Sequence, residues 1–116
     1  MTTHELGVAV RDRDGVAIID LVGEIDAGAE AALDHAYMEA THGRSTVVLN
    51  FERTNYINSA GIALIVSLLA QARARRIELT ACGLSDHYRE IFEITRLSDF
   101  MRMVDTEDLA VGSTHG

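Results

Sequence analysis

The residues best suited to chemistry lie in one short segment, Asn58-Ser59-Ala60-Gly61, directly before an apolar helical stretch. Asn and Ser are favourable N-cap residues because their side-chain oxygens accept hydrogen bonds from the first N–H groups of a helix, which have no partner within it. A serine at the positive end of a helix is also a favourable place for a phosphate group. The segment therefore has two interpretations, a plain helix cap and a phosphorylation site at Ser59.

Gly61 and the helix that follows favour the functional interpretation. Gly costs about 1 kcal/mol relative to Ala inside a helix, so its place in the first turn indicates that another group approaches the backbone closely. The stretch over residues 62–73 is apolar on nearly all sides. Such a helix is either deeply buried or exposes an apolar face to a partner. We predict that Ile65 and Leu69 are buried against a sheet, whichever face meets the partner.

The sequence contains no pattern typical of an enzyme, a metal site or a cofactor site. Ser59 lacks the Gly-x-Ser-x-Gly context of a hydrolase nucleophile, and the five histidines have no metal-ligand spacing. Gly23 and Gly28 resemble a phosphate loop, but the chain has no lysine to complete one. Cys82 is predicted to be a small buried apolar residue. We therefore predict a non-enzyme with no catalytic residue, no metal and no cofactor.

Composition narrows the choice of partners. The 116 residues carry ten Lys and Arg against eighteen Asp and Glu, a net charge of −8, which argues against nucleic acid and against an anionic membrane surface. One cysteine cannot form an internal disulfide, the first residues lack the pattern of a signal peptide, and no apolar stretch approaches the length of a membrane span. The sequence predicts a cytoplasmic protein with no direct membrane insertion.

Strands and helices alternate along the chain after an opening hairpin. Asp14-Gly15 separates two apolar runs and predicts a tight hairpin turn, in preference to a calcium loop. The patterns predict strands over residues 6–10, 16–22, 45–51, 77–81 and 100–104, a turn over 52–56, and helices over 29–40, 62–73, 85–95 and 106–111. We predict a single α/β domain over residues 1–116, with its core over about 6–111, a disordered tail over 112–116, and a mixed sheet of four to five strands with helices packed on it.

Three motifs in order resemble the STAS domain, the fold of bacterial anti-sigma factor antagonists. The central one is Val48-Leu49-Asn50-Phe51 followed by Tyr56-Ile57-Asn58-Ser59-Ala60-Gly61-Ile62, which is similar to the family's apolar strand, Asp-Ser-Ser/Ala-Gly and aliphatic helix. The run over residues 21–26 resembles the family's Gly-Glu-Leu-Asp, and the run over 91–97 resembles its third helix. The resemblance covers about residues 6–111.

The resemblance implies a partner-switching regulator of transcription. Such antagonists bind an anti-sigma factor that is also a serine kinase, which phosphorylates one serine and so breaks the complex; a serine phosphatase restores it. By position, Ser59 matches the phosphoacceptor, and the implied partner-binding residues are Asp26, Asn58, Ser59, Ala60, Gly61 and Ile62. Asn58 replaces the family's Asp, which keeps a cap but removes a negative charge beside Ser59. The alternative is a scaffold subunit of a stress-signalling complex or of a membrane transporter, and a homodimer is also open.

Overall fold

The computed structural model describes residues 6–113, which form a sheet covered by helices on both faces. The strands are β1 (Gly7–Arg13), β2 (Val16–Ile25), β3 (Thr46–Asn50), β4 (Thr54–Ile57), β5 (Glu78–Cys82) and β6 (Arg102–Val104). The helices are α1 (Glu30–Thr41), α2 (Ser59–Ala74), α3 (Asp86–Ile94) and α4 (Glu107–Ser113), with 3-10 turns at Ala27–Ala29 and Leu97–Asp99. The predicted α/β fold with a mixed sheet is confirmed.

The sheet begins with the predicted hairpin. β1 and β2 pair antiparallel, with Arg13 opposite Val16, so Asp14-Gly15 is a two-residue turn. Both turn residues have positive φ, 54° and 82°, which is the geometry that suits the right-handed twist of paired strands. The carboxylate of Asp12 accepts a hydrogen bond from the N–H of Gly15 and pairs with Arg44. Asp14 thus lies in the turn, and Asp12 at the end of β1 stabilises it.

The order of the strands in the sheet is β1-β2-β3-β5-β6. Every pair after β1–β2 in this order is parallel. β4 lies off this path and pairs with the last part of β2, beyond β3. The segment that the sequence indicated as a turn over 52–56 therefore contains a strand, and the sheet has six strands where four to five were predicted. That part of the prediction is wrong. Thr54–Ile57 is short, and only Ile57 within it is buried, so it lacks the apolar alternation by which a strand is recognised.

Alternate residues of the strands enter two apolar clusters. Val47 and Leu49 of β3 contact the larger cluster under α1, α2 and α3, whereas Val48 contacts the smaller cluster under α4. This two-sided burial is what the continuous apolar run of β3 predicted. Cys82 also lies in the smaller cluster, as predicted.

The C-terminal helix is longer than expected. α4 extends to Ser113, so Gly112 and Ser113, which we assigned to a disordered tail, are helical; residues 114–116 of that predicted tail lie outside the described residues. Within the described part, no helix is long and apolar enough to cross a bilayer.

Candidate functional site

The site is built where two neighbouring parallel strands end. Ile25 of β2 is paired with Ile57 of β4, so the next residues along each strand, Asp26 and Asn58, start adjacent loops. The N–H of Asn58 donates to the carbonyl of Ile25 over 3.2 Å. The sheet thereby brings together two segments that are 32 positions apart in the chain.

Asn58 is the N-cap of α2. Its backbone is extended, with φ −92° and ψ −177°, and its Oδ1 accepts a hydrogen bond from the N–H of Gly61 at 2.9 Å. Its carbonyl accepts the first bond of the helix, from the N–H of Ile62, also at 2.9 Å. These bonds identify Ser59 as the first residue of α2, at the positive end of a 16-residue helix.

Ser59 is exposed, whereas its neighbours are more enclosed. Ala60 and Ile62 are half-buried and Gly61 is buried, with Ile62 packed against the larger apolar cluster. The structure thus brings the six predicted partner-binding residues into one region, but it offers only the Ser59 side chain freely at the surface. Any contact that a partner makes with Gly61 would be indirect.

The close approach that Gly61 indicated is made by the protein's own backbone. A Cβ placed on Gly61 would overlap the carbonyl oxygen of Ile25, and it would lie 2.8 Å from the carbonyl carbon of Ile25 and 3.0 Å from the Cγ2 of Ile57. The missing side chain lets the start of α2 sit directly on the end of β2. The glycine is therefore explained by packing within the fold and does not by itself indicate a ligand.

Asp26 shapes the neighbouring loop. Its Oδ1 accepts a hydrogen bond from the N–H of Gly28 at 2.9 Å, so Asp26 caps the 3-10 turn that leads into α1. Because α2 packs against the same 3-10 turn, the carboxylate of Asp26 belongs to the structure that surrounds the start of α2. Asp26 is half-buried, and the partner-binding role assigned to it stays a prediction.

A further positioning residue, Tyr88 of α3, was not recognised in the sequence. Its buried hydroxyl accepts a hydrogen bond from the N–H of Ile57 at 3.0 Å, which satisfies a backbone donor at the end of β4. The only signal was that Tyr88 lies on the apolar side of α3, where a hydroxyl needs a partner when it is buried. Tyr88 thereby holds α3 against β4, the strand that leads directly into Asn58 and Ser59.

A second polar cluster lies on the α4 face of the sheet. Glu107 accepts hydrogen bonds from Arg11, from Arg13 at 2.8 Å and from Asn50 at 3.2 Å, and Arg11 also pairs with Asp20. The hydrogen bond from Arg11, followed by that from Arg13, holds the pKa of Glu107 below its usual range. Four of the residues that line a cavity of about 420 Å³ are thus bonded to one another and tether α4 to the sheet: Arg11, Asp20, Asn50 and Glu107.

The described residues offer little for nucleophilic or metal chemistry. Burial raises the pKa of the Cys82 thiol to about 12, which removes the thiolate that reactive cysteines need. Across residues 6–113, no three His, Cys, Asp or Glu side chains are grouped to hold a metal ion. The arrangement at Ser59, by contrast, can accept a phosphate at a helix N-terminus and can contact a second protein.

Comparison with known proteins places this geometry in a family. The STAS domain matches residues 8–110. The chain belongs to the STAS family. The anti-sigma-B factor antagonist of Listeria monocytogenes is 32% identical over 105 residues, which cover 88% of this chain and 91% of that one. The recognition made from the three motifs is therefore confirmed.

Solved structures agree on the fold of this STAS domain. An anti-sigma factor antagonist from Mycobacterium paratuberculosis superposes with a TM-score of 0.83 at 19% identity, covering 96% of this chain and 95% of that one. The Bacillus cell fate determinant SpoIIAA, solved in its phosphorylated form, gives a TM-score of 0.67 at 21% identity over 93% and 99% of the two chains. At these identities the structures show a shared fold.

Proposed function

We propose that this STAS protein is an anti-sigma factor antagonist that binds an anti-sigma factor with serine kinase activity. Phosphorylation of Ser59 by that kinase dissociates the complex, and a serine phosphatase restores it. In the dissociated state the anti-sigma factor is free to hold its sigma factor, so the protein regulates transcription without contacting nucleic acid and without catalysing a reaction.

The observation that carries this proposal is the position of Ser59. It is exposed, it begins α2, and Asn58 has already capped the helix through the N–H of Gly61. The serine side chain is therefore not needed as the cap, which leaves it for modification. The names of the antagonist relatives support the role, and SpoIIAA shows that this fold is compatible with a phosphorylated form.

Electrostatics explain why a phosphate at Ser59 would act on binding rather than on folding. The group adds about −1.5 to −2 charge at pH 7, and the positive end of α2 can stabilise it locally. A partner that packs on the exposed residues of the next turns, Ala63 and Val66, would instead have to remove that charge from water. Burying an unpaired charge is far more costly than exposing one.

Asn58 fits the same scheme. The amide accepts from Gly61 as a carboxylate would, and it adds no negative charge beside the phosphate. The exchange of the family's Asp for Asn therefore preserves the helix start and lowers the electrostatic cost of phosphorylating Ser59. It also changes the surface presented to the kinase, which is consistent with a partner specific to this protein.

Binding measurements on Ser59 variants test the proposal. The partner is captured from native lysate with the Ser59→Ala protein, identified, purified and titrated against each variant. We expect Ser59→Ala to bind like the unphosphorylated protein, and Ser59→Glu to bind at least tenfold more weakly with a nearly unchanged melting curve. Ser45→Glu is the matched control, because Ser45 is an exposed serine just before β3, at the opposite end of the sheet, and should bind normally.

Two results would contradict the switch. Equal affinity of the Ser59 variants for the partner would show that Ser59 does not control binding, and would favour the scaffold subunit. Unfolding of Ser59→Glu, with a normal melting curve for Ser45→Glu, would show that Ser59 supports the helix start and is not a modification site. Incubation of the wild-type protein with the purified partner and ATP, followed by mass spectrometry, tests directly whether the phosphate is on Ser59.

A further inference from the structure

The exposed face of α2 is uncharged over most of its length. Between Ser59 and Gln71 the helix contains no charged residue, although 24% of the chain is charged. The exposed positions, which we call the α2 strip, are Ser59, Ala63, Val66, Ser67, Ala70 and Gln71. Depletion of charge is typical of the core of a protein–protein interface. The strip begins at the switch serine and continues towards the other end of the sheet.

At its far end the α2 strip meets an apolar groove formed with the segment after α3. We call this the Phe100 groove; it is lined by Val66, Leu69, Ala70, Arg73, Leu97 and Phe100, and encloses about 310 Å³. Phe100 itself is 56% exposed, and a second cavity of about 560 Å³ lies along it, lined also by Arg76. Phe and Arg are among the residues enriched at the cores of protein–protein interfaces.

The charges around the Phe100 groove differ from those of the rest of the molecule. Arg73, Arg76 and Arg96 line the two cavities, against a single carboxylate, Asp99, which pairs with Arg96 at 2.8 Å. The guanidinium of Arg73 lies over the Phe100 ring, 5.3 Å from its centroid. In a chain with a net charge of −8, this is a local positive surface, and it is complementary to an acidic partner segment.

One partner can cover both ends of α2. Ser59 and Arg73 are 14 residues apart, which corresponds to about 21 Å along a helix at about 1.5 Å per residue. A standard interface covers about 800 Å² on each partner, a patch roughly 30 Å across. An anti-sigma factor that contacts Ser59 and follows the α2 strip therefore reaches the Phe100 groove.

We propose that the Phe100 groove is a second docking surface for the same anti-sigma factor, which inserts an apolar side chain beside Phe100 from an acidic segment. The inference rests on the function proposed above, and it assigns a different role to each end of α2. The Ser59 end of α2 is switched by phosphorylation. The Phe100 end is not switched, and its arginines select the partner by charge.

The test measures the affinity of the purified partner for variants at the far end of α2. Phe100→Ala should weaken binding about tenfold or more, and Arg73→Gln should weaken it severalfold at low salt while flattening the dependence of Kd on salt. Met38→Ala, at a residue of α1 that is 68% exposed, is the control for loss of an exposed apolar side chain. Arg75→Gln removes the same charge two residues further along the chain, at a position that lines neither cavity. Both controls should bind within about twofold of wild type.

A further variant tests whether weaker binding could result from misfolding. Ala70 is exposed and helical, so Ala70→Glu should fold normally, yet it places a carboxylate where the acidic segment would lie and should also weaken binding. Because Ser59 and Phe100 do not touch, the effects of Ser59→Glu and Phe100→Ala on the binding free energy should add.

The outcomes separate the two proposals. If Ser59→Glu weakens binding but Phe100→Ala and Ala70→Glu bind like Met38→Ala, the second docking surface is wrong and the switch stands. If Phe100→Ala weakens binding and Arg73→Gln behaves like Arg75→Gln at every salt concentration, selection of an acidic segment is wrong. If Ser59→Ala and Ser59→Glu bind a partner equally, the switch at Ser59 is wrong, and so is the assignment of different roles to the two ends of α2.

Discussion

At the scale of single residues, each position of the site has a separate physical task. Asn58 caps α2, Ser59 presents a hydroxyl to solvent, and Gly61 lets the helix approach β2. Because the cap and the proposed phosphoacceptor are different residues, phosphorylation of Ser59 would leave the hydrogen bond from the N–H of Gly61 to Asn58 in place. A phosphorylation switch that leaves the domain folded needs the cap and the modified residue to be separate.

Gly61 should be the least replaceable of these residues. The Cβ of Gly61→Ala would overlap the carbonyl oxygen of Ile25, and backbone atoms cannot move aside as a flexible side chain can. We expect the free energy of unfolding to fall by about 3 kcal/mol, at the upper end of the usual cost of overpacking. Urea denaturation monitored by circular dichroism measures the change.

Gly112→Ala is the matched control for this substitution. Gly112 lies in α4, and no neighbouring group comes within 4 Å of the position that a Cβ would take there. Alanine at this position should therefore be neutral or slightly stabilising, as expected from helix propensity. Equal urea midpoints for the two variants would mean that α2 can shift away from β2 at no cost, and that the close approach is not a constraint.

At the scale of elements, α2 serves two surfaces at once. Ile65 and Leu69 are buried, as predicted, with 1% and 6% of their surface exposed, whereas Val66 between them is 45% exposed. The helix is apolar on nearly all sides because one side builds the core and the other forms the α2 strip. Its apolar character therefore indicated both alternatives together, burial and an exposed apolar face.

Truncation of a buried side chain of α2 should lower the stability of the fold, whereas truncation of an exposed one should weaken partner binding. Ile65→Ala and Leu69→Ala should each lower the free energy of unfolding by about 2–5 kcal/mol, because each leaves a cavity in the core. Val66→Ala, the matched control on the same helix, should lower it by less than about 1 kcal/mol and should weaken partner binding instead. Urea midpoints give the first quantity and titration with the partner the second; a large loss of stability in Val66→Ala would show that this face is not free.

The elements that the sequence predicted are those with a strong local signal. Asp14-Gly15 identified the hairpin, and the apolar runs identified β3 and α2, because periodicity and turn chemistry are local properties of the chain. β4 was missed because its four residues, Thr54–Ile57, are stabilised by pairing with the far part of β2. For the same reason the sequence placed Ser59 at the start of an apolar helix, although it began that helix at residue 62 rather than at Ser59. It did not indicate the hydrogen bond to the hydroxyl of Tyr88, whose donor is 31 residues away.

At the scale of the whole molecule, the ion pairs around Glu107 connect the two ends of the fold. Arg11 and Arg13 belong to β1, and Glu107 is the first residue of α4, 94 to 96 positions later. Asn50, which is 9% exposed, donates to the same carboxylate from β3. This tether holds α4 over the smaller apolar cluster. No local pattern could reveal it, because its members come from three distant segments.

Acid should therefore loosen the attachment of α4. The hydrogen bonds from Arg11 and then Arg13 lower the pKa of Glu107 in the folded protein. A carboxyl whose folded pKa is lowered contributes stability that is present above its unfolded pKa, about 4.3, and that is lost as pH falls through the folded pKa. We expect Glu107→Gln to be less stable than wild type at pH 7, with the difference in urea midpoint shrinking as pH is lowered below about 4.

The control is Asp108→Asn, which removes a carboxylate whose side chain is 83% exposed and which pairs with Arg13. It should change the urea midpoint little at either pH, since exposed ion pairs contribute about 0–1 kcal/mol. A difference between Glu107→Gln and wild type that stayed constant from pH 7 to pH 3 would show that ionisation of Glu107 does not hold the last helix to the first strand.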